Sequence, residues 1–547
     1  MSLDFDVYSL GLRDDRLKDR YYENGWWSSY TVEQRLQDMV RKSPDKVLIY
    51  QDDLAITYTD FDELTAGLAS SFINRLGIVP GDVIGIHLAN GWEYIVARFA
   101  ASRAGAIPLG LLPALGRSEL AALTTKTQMR AVITSGDSER SRHLEAVMAV
   151  THELTHPVSI VALEPGEYAN VETFEALCKP DAILPRSVFE ERSRKSDEVD
   201  ILISTSGTTG QPKLIAHTVN TWMNASGVEV IERSGVTDAD VFLPLAPFPG
   251  GTGGLFAMNV PLMALGSWAC IPHWSARLAL DCIERHQVTV VVGVPAQIGA
   301  LLAQENGPAR LAESGVRMFL NAGAPLPQST AEELVSHGIT PITFYGTSES
   351  SIASSTRFDD PPERLTTTVG RVSTKTDLRL LSPETTPVAP GEPGEVWLQS
   401  PFQSIGYYAD PDATRASFGH LGGEMTGDIG VLDDEGYLRI VGRSKEMIVR
   451  GGQNIAPAEI EGLLASHPAV ALAAVVGYPD DKLGERACAF VALRDGHELD
   501  DSELRRHFDA LSVATYKHPD RLVVLEEMPQ GPGGKVDKGA LRRRALR

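Results

Sequence analysis

Cysteine is scarce and scattered. The 547-residue chain holds four, Cys178, Cys270, Cys282 and Cys488, with no CxxC pair. That argues against a disulfide scaffold or a thiolate zinc site and points to a reducing compartment. Basic charge is also short: 50 Lys and Arg stand against 72 Asp and Glu, a formal charge of −22. This balance argues against unaided binding to nucleic acid or to an anionic membrane. The N-terminal stretch MSLDFDVYSLGLRDD mixes acids with bases and has no apolar run of signal-peptide length, so a cytoplasmic protein is expected. One segment lacks charge altogether. From Val241 to Ala276 there is no Lys, Arg, Asp or Glu, which is long enough to span a bilayer. Its prolines and glycine cluster, LPLAPFPGGTGGLF, would interrupt a spanning helix and leave backbone groups unpaired in lipid. Buried core with a pocket-lining loop is the reading that fits.

What is present is ordinary globular material, 43% hydrophobic and 22% charged. At about 150 residues per domain the length suits roughly three or four domains or subdomains. Between residues 30 and 150 helical and strand-like periodicities alternate. TVEQRLQDMVRKSP predicts a helix with Thr31 as N-cap and Pro44 beyond its end, DVIGIHL and AVIT predict strands buried on both faces, and EYIVARFAASRAGAI predicts a helix between them. The rhythm returns at CIERHQVTVVVGVP and EELVSHGITPITFYG. A parallel or mixed sheet covered by helices is expected. After residue 400 the pattern changes. TGDIGVLDDEGYLRIVGRSKEMIVRGG predicts two strands around a turn at Asp434-Glu435-Gly436, a polar joint at Gly442 to Lys445, and a strand ending in Gly451-Gly452. PAEIEGLLASHP then reads as a helix and VALAAVVGYP as a buried strand, the start of a small α+β domain of about a hundred residues.

The segment richest in chemistry is ILISTSGTTGQPKL, Ile201 to Leu214. An apolar run enters a loop of hydroxyls and glycines that Lys213 follows. Glycines let backbone approach a ligand, hydroxyls and N–H groups donate to anionic oxygens, and the lysine offsets their charge. The loop is suited to phosphate, yet it lacks GxxxxGK[ST] spacing and so is not a Walker A loop. Taken alone, a flexible Ser/Thr/Gly connection is a serious competitor.

STSGTTGQPK resembles the signature loop of the acyl-adenylate-forming superfamily: acyl- and aryl-CoA synthetases, nonribosomal peptide adenylation domains and beetle luciferases. Further segments follow in the family's order: NAGAPL (321–326), YGTSES (345–350), TGD (426–428), GRSKEMI (442–448) and PQGPGGKVDK (529–538). The resemblance covers essentially the whole chain and is strongest to the branch of aryl-acid and alicyclic-acid ligases. It implies an α/β fold, with a large multi-subdomain N-terminal domain of mixed sheets covered by helices (1–441), a hinge (442–446) and a small mobile α+β lid (447–547).

The same resemblance implies the site. Thr205, Ser206, Gly207, Thr208, Thr209, Gly210 and Lys213 would cradle the ATP phosphates. Gly323, Ala324 and Pro325 would border the adenine, with Tyr345, Gly346 and Ile440 beside it. Thr347 would bond the α-phosphate and Glu349 would hold Mg²⁺, a hard ion suited to carboxylate and phosphate oxygens. Asp428 would accept from the ribose hydroxyls, and Arg443 would donate to the same sugar or to phosphate. Lys535 would reach both the carboxylate and the α-phosphate and offset the charge of two anions meeting. Lys445 stands at the hinge position, and Gly451 and Gly452 would line a tunnel for the thiol arm of coenzyme A. ATP, Mg²⁺ and coenzyme A are the implied cofactors and co-substrates, with a separate carrier protein as alternative thiol donor. A catalytically silent binding protein of the same fold is a reading of another class, opposed by the joint presence of Lys213, Glu349, Asp428, Arg443 and Lys535. Where the branch's hydroxybenzoate enzymes usually carry His-Asn, this chain has Pro247-Phe248. A bulky apolar acid is expected in place of a hydroxylated one, with Phe248, Gly253, Gly323 and Ser351 as candidate walls of its pocket.

Overall fold

A computed structural model describes residues 5–136, 142–168, 170–205, 213–271, 273–451, 453–480, 482–494, 496–511, 513–530 and 536–546, and for Thr205 and Asn454 the backbone alone. Apolar runs build the centres of two large sheets. The eight-stranded one runs Gly406–Tyr407, Lys213–Thr218, Val199–Thr205, Ile107–Gly110, Val83–His87, Ala131–Thr134, Ser159–Ala162 and Glu172–Thr173. Val83–His87 and Ala131–Thr134 lie parallel with every residue buried, as all-apolar runs covered on both faces require. The helix Val32–Lys42 begins where Thr31 accepts from the Gln34 N–H in a reciprocal capping box. The helix expected over EYIVARFAASRAGAI is shorter: it spans Trp92–Arg103, Gly105 turns left-handed at φ 81°, and Ile107–Gly110 is a strand.

The nine-stranded sheet has the order Arg371–Val372, Ser354–Ser355, Thr340–Tyr345, Met318–Ala322, Val290–Gly293, Val241–Pro244, Ser267–Cys270, Val47–Gln51 and Leu54–Thr57. Its middle, from Thr340–Tyr345 to Val47–Gln51, is parallel. The uncharged segment falls inside this architecture. It supplies the strands Val241–Pro244 and Ser267–Cys270 and, between them, a π-helix at Gly253–Asn259 that continues as the α-helix Val260–Met263. Among the described residues no helix is long and apolar enough to cross a membrane. All four cysteines are buried and unpaired.

Downstream, Asp377–Leu381, Gly394–Gln399, Glu424–Leu432 and Leu438–Arg443 form an antiparallel sheet. The strand Leu438–Arg443 leads through a short 3₁₀ turn, Ser444–Glu446, to Ile448–Arg450. From there two apolar clusters form that draw only on residues 448 to 545, one around Ile448, Ile460, Val491 and Phe508, the other around Val476, Phe490 and Leu541. Helices Pro457–Ala465 and Lys538–Ala545 cover the strand Val470–Asp480 of this C-terminal sheet. The molecule is α/β, with a large N-terminal part of mixed sheets under helices and a small α+β C-terminal part.

Candidate active site

In open parallel sheets ligands bind beyond the carboxyl ends of the strands. Here Val241–Pro244, Met318–Ala322 and Thr340–Tyr345 all run the same way. At their ends lie Leu245 to Gly254, Gly323 to Pro325 and Gly346 to Ser351, so three of the segments singled out in the sequence converge at one sheet edge. Gly323 has φ 84° and lets the chain leave its strand sharply. Gly346 is required by packing, because a Cβ there would lie 2.3 Å from the Ser351 carbonyl oxygen. Ser351 itself is left-handed at φ 59°, buried, and donates to the Phe402 carbonyl at 3.1 Å. A non-glycine residue held there marks strain of the kind found at functional sites.

Two polar networks hang on this edge. In the first, Asp428 and Arg443 face each other across the antiparallel pair of strands. Arg443 Nε donates to Asp428 Oδ1 at 2.6 Å, and the Tyr345 hydroxyl donates to Asp428 Oδ2 at 2.9 Å. Burial, and then the Asp428 charge, hold the Tyr345 phenol well above its ordinary range, so it stays a donor. Ile440 packs in the same small cluster as Tyr345 and Leu438. In the second network Thr347 Oγ1 donates to the Glu424 carboxylate at 2.9 Å and lies 2.8 Å from Ser350 Oγ. Glu424 is fully buried, and desolvation first, the Glu349 charge second, push its pKa up to about 8.

Glu349 is held from another direction. Tyr407 Oη donates to its Oε1 at 2.5 Å, while Lys213 Nζ sits 4.6 Å from the centre of the Tyr407 ring. Lys213 opens the strand that pairs with Val199–Thr205, and the hydroxyl-rich loop joins the two. His217, on the same strand, donates from Nε2 to the Ser348 carbonyl at 2.8 Å. Burial lowers its pKa to about 4, so it is neutral. Glu349 and Glu424, hard oxygen donors brought together where their charges repel, fit a divalent cation that arrives on nucleotide phosphates.

Four further residues belong to the segment expected to border the acid. Phe248 is 2% exposed, its ring centre 5.4 Å from that of Tyr94, and its N–H donates to Asn90 Oδ1 at 2.8 Å. Gly251 faces Ser348, whose Oγ would be 3.0 Å from an added Cβ, and Gly254 faces the Trp222 indole. At Gly253 the missing side chain serves the close approach of the Pro247 carbonyl, 1.8 Å from where a Cβ would be, and does not enlarge a pocket. Lys445 is exposed within the 3₁₀ turn. Gly451, at φ 59°, directly follows the strand Ile448–Arg450, which pairs antiparallel with Gln453–Ile455. The Thr205 side chain, Ser206, Gly207, Thr208, Thr209, Gly210, Gly452 and Lys535 lie outside the described residues. Gln530 and Val536, which flank Lys535's loop, pair with each other.

Sequence reasoning missed Tyr407, Glu424 and His217. Glu424 had a signal: Glu424, Thr426 and Asp428 occupy alternate positions of one strand, and all three bond to the Tyr345–Thr347 segment. Because Glu424 is protonated in the fold and ionised in the unfolded chain between its reference value of 4.5 and about 8, folding takes up a proton over that interval. Stability contributed by the neutral acid is therefore present below pH 4.5 and lost as pH rises toward 8. In metal-free protein the melting temperature should fall across this range, and Glu424→Gln, permanently neutral, should flatten that fall. Parallel profiles would refute the assignment.

Residues 36–408 match the family described as AMP-binding enzyme, and residues 459–535 match its AMP-binding enzyme C-terminal domain. Three curated relatives align over nearly the full length. A medium-chain fatty-acid–CoA ligase of Escherichia coli is 29% identical over 98% of this chain and 94% of its own. A 2-hydroxy-7-methoxy-5-methyl-1-naphthoate–CoA ligase of Streptomyces carzinostaticus is 31% identical over 97% and 96%. A salicyl-AMP ligase / salicyl-S-ArCP synthetase of Mycobacterium tuberculosis is 33% identical over 95% and 92%. The chain belongs to the AMP-binding enzyme family, within the acyl-adenylate-forming superfamily near its aryl-acid ligases, and is an AMP-forming acid–thiol ligase.

Proposed function

We propose that the protein activates a bulky apolar carboxylic acid, aryl, alicyclic or polycyclic, and passes the acyl group to coenzyme A. A carboxylate oxygen attacks the α-phosphorus of ATP, the bond to the bridging β-phosphate oxygen breaks, and pyrophosphate leaves. The thiol sulfur then attacks the acyl carbon, the bond to AMP breaks, and the thioester is released. Thr205 to Gly210 and Lys213 hold the β- and γ-phosphates, Gly323 to Pro325 with Tyr345 border the adenine, and Asp428 with Arg443 holds the ribose. Thr347 meets the α-phosphate. Glu349 would hold Mg²⁺, which when bound would supply charge neutralisation for the reacting phosphates. Residues 447–547 act as a lid on the core 1–441, turning at Lys445 in the hinge 442–446. One position brings in Lys535 for adenylation and the other brings Gly451-Gly452 beside the thiol arm.

The observation that carries the acid class is the uncharged segment at the sheet edge. Phe248 and the glycines after it offer no side-chain hydrogen bond to a substrate hydroxyl, and the nearby Asn90 amide is spent on the Pro244 and Ala246 carbonyls at 3.0 and 2.9 Å. A wall formed by Phe248 and glycines gives a hydroxylated acid no added reward, whereas a hydroxyl-reading site discriminates by about 10⁴-fold or more. Coenzyme A as acceptor is supported by the relatives named as CoA ligases, and carrier loading by the one named for a salicyl-S-ArCP product. Pyrophosphate release across a panel of acids tests the reading. Polycyclic, aryl and alicyclic acids should lead the panel, and a strong preference for 2-hydroxybenzoates or acetate-like acids would overturn it. Thioester formation with coenzyme A against carrier loading decides the acceptor.

A further inference from the structure

Tyr407 touches both halves of the charge system on which the proposed adenylation depends. It lies on the two-residue strand Gly406–Tyr407, pinned in register to Ile215 and Ala216 of the strand that Lys213 opens. The ring is 3% exposed. Its hydroxyl donates to Glu349 Oε1 at 2.5 Å and lies 3.5 Å from Ser417 Oγ, while its face receives Lys213 Nζ at 4.6 Å. One neutral side chain thus holds a cation and a carboxylate by different parts of the same ring. A lysine and a glutamate left to pair directly would neutralise each other, and neither would then face phosphate or metal with its full charge.

We infer that Tyr407 is a positioning residue: its hydroxyl fixes the Glu349 carboxylate for the divalent cation, and its ring face fixes Lys213 for the phosphates. This rests on the adenylation reading above. A hydrogen bond from a rigid buried phenol sets which carboxylate oxygen is engaged and in which direction the other points, as outer partners of metal ligands do. Removing such partners typically costs about 10- to 100-fold in metal affinity or activity.

Tyr407→Phe separates the two duties, because it keeps the ring for Lys213 and deletes only the hydroxyl. Binding of Mn²⁺ is read by the electron paramagnetic resonance of the free ion in the presence of α,β-methylene-ATP and no acid, so the readout requires no turnover. Y407F should weaken Mn²⁺ about 10-fold or more, with the metal-free affinity for the analogue and the melting temperature near wild type. In a Glu349→Gln background the same change should have no further effect, since the hydroxyl acts through that carboxylate. Unchanged Mn²⁺ affinity in Y407F, or equal weakening with and without Glu349, would overturn the inference while wild-type pyrophosphate exchange left the adenylation reading intact. A wild-type protein that neither binds Mn²⁺ with nucleotide nor exchanges pyrophosphate would remove both.

Discussion

Lys535→Ala should reduce acid-dependent pyrophosphate release by about 10²- to 10³-fold, the scale on which removal of one preorganised donor to developing charge acts. Conversion of supplied acyl-adenylate to thioester should stay within a few-fold of wild type. The asymmetry follows from the two half-reactions. In the first, a carboxylate and a triphosphate, both anions, would meet at phosphorus, and in the proposed role the Lys535 ammonium would reach both and offset their repulsion. In the second the acyl group is already activated and the nucleophile is a thiol, so that ammonium has no second anion to bridge. Equal loss of both half-reactions would show that Lys535 serves binding or folding and not the first chemical step.

Asp428→Ala should lower kcat/KM for ATP by roughly 10²- to 10⁴-fold, mostly through KM. Asp428 is 7% exposed, and its carboxylate already accepts from Tyr345 and Arg443. With about four lone-pair positions on its two oxygens it can also accept from a ribose, and hydrogen bonds to a charged acceptor are worth about 1.5–3 kcal/mol each. Removing it also leaves the Tyr345 hydroxyl with Thr426 Oγ1, 3.3 Å away, as its remaining partner. Asp428→Asn keeps one acceptor oxygen and should fall between the two. An ATP KM unchanged in Asp428→Ala, measured by pyrophosphate exchange, would exclude Asp428 from the nucleotide site.

The parts of this fold that could be read from sequence are those written in local pattern. Thr31 with Gln34 announces a helix start, VIGIH and AVIT announce buried strands, and Gly436 at φ 81° closes the expected turn between two strands. The contacts that complete the site are not local. Tyr407 and Glu349 are 58 residues apart, Thr347 and Glu424 77, and Tyr345 and Asp428 83. No periodicity connects such positions, and only the closing of sheets around the shared edge brings them together. The same holds for Arg98 and Arg103, buried on a mostly apolar helix. Their partners Asp200, Asp62 and Glu33 belong to other elements, and a pattern of apolar spacing gives no sign that two guanidinium groups are paired inside. The π-helices at Asn220–Asn224 and Gly253–Asn259 are likewise not legible, since NTWMN is mostly polar and GGLFAMN opens on two glycines, so neither announces a helix by apolar spacing.

The most direct measurement is a rapid-quench reaction of the purified protein with ATP, Mg²⁺ and a bulky apolar acid in the absence of thiol, analysed by mass spectrometry, followed by addition of coenzyme A. The proposed chemistry predicts enzyme-bound acyl-AMP with stoichiometric pyrophosphate, then thioester and free AMP once the thiol is present. Release of ADP and phosphate, or nucleotide left intact with every acid offered, would contradict it.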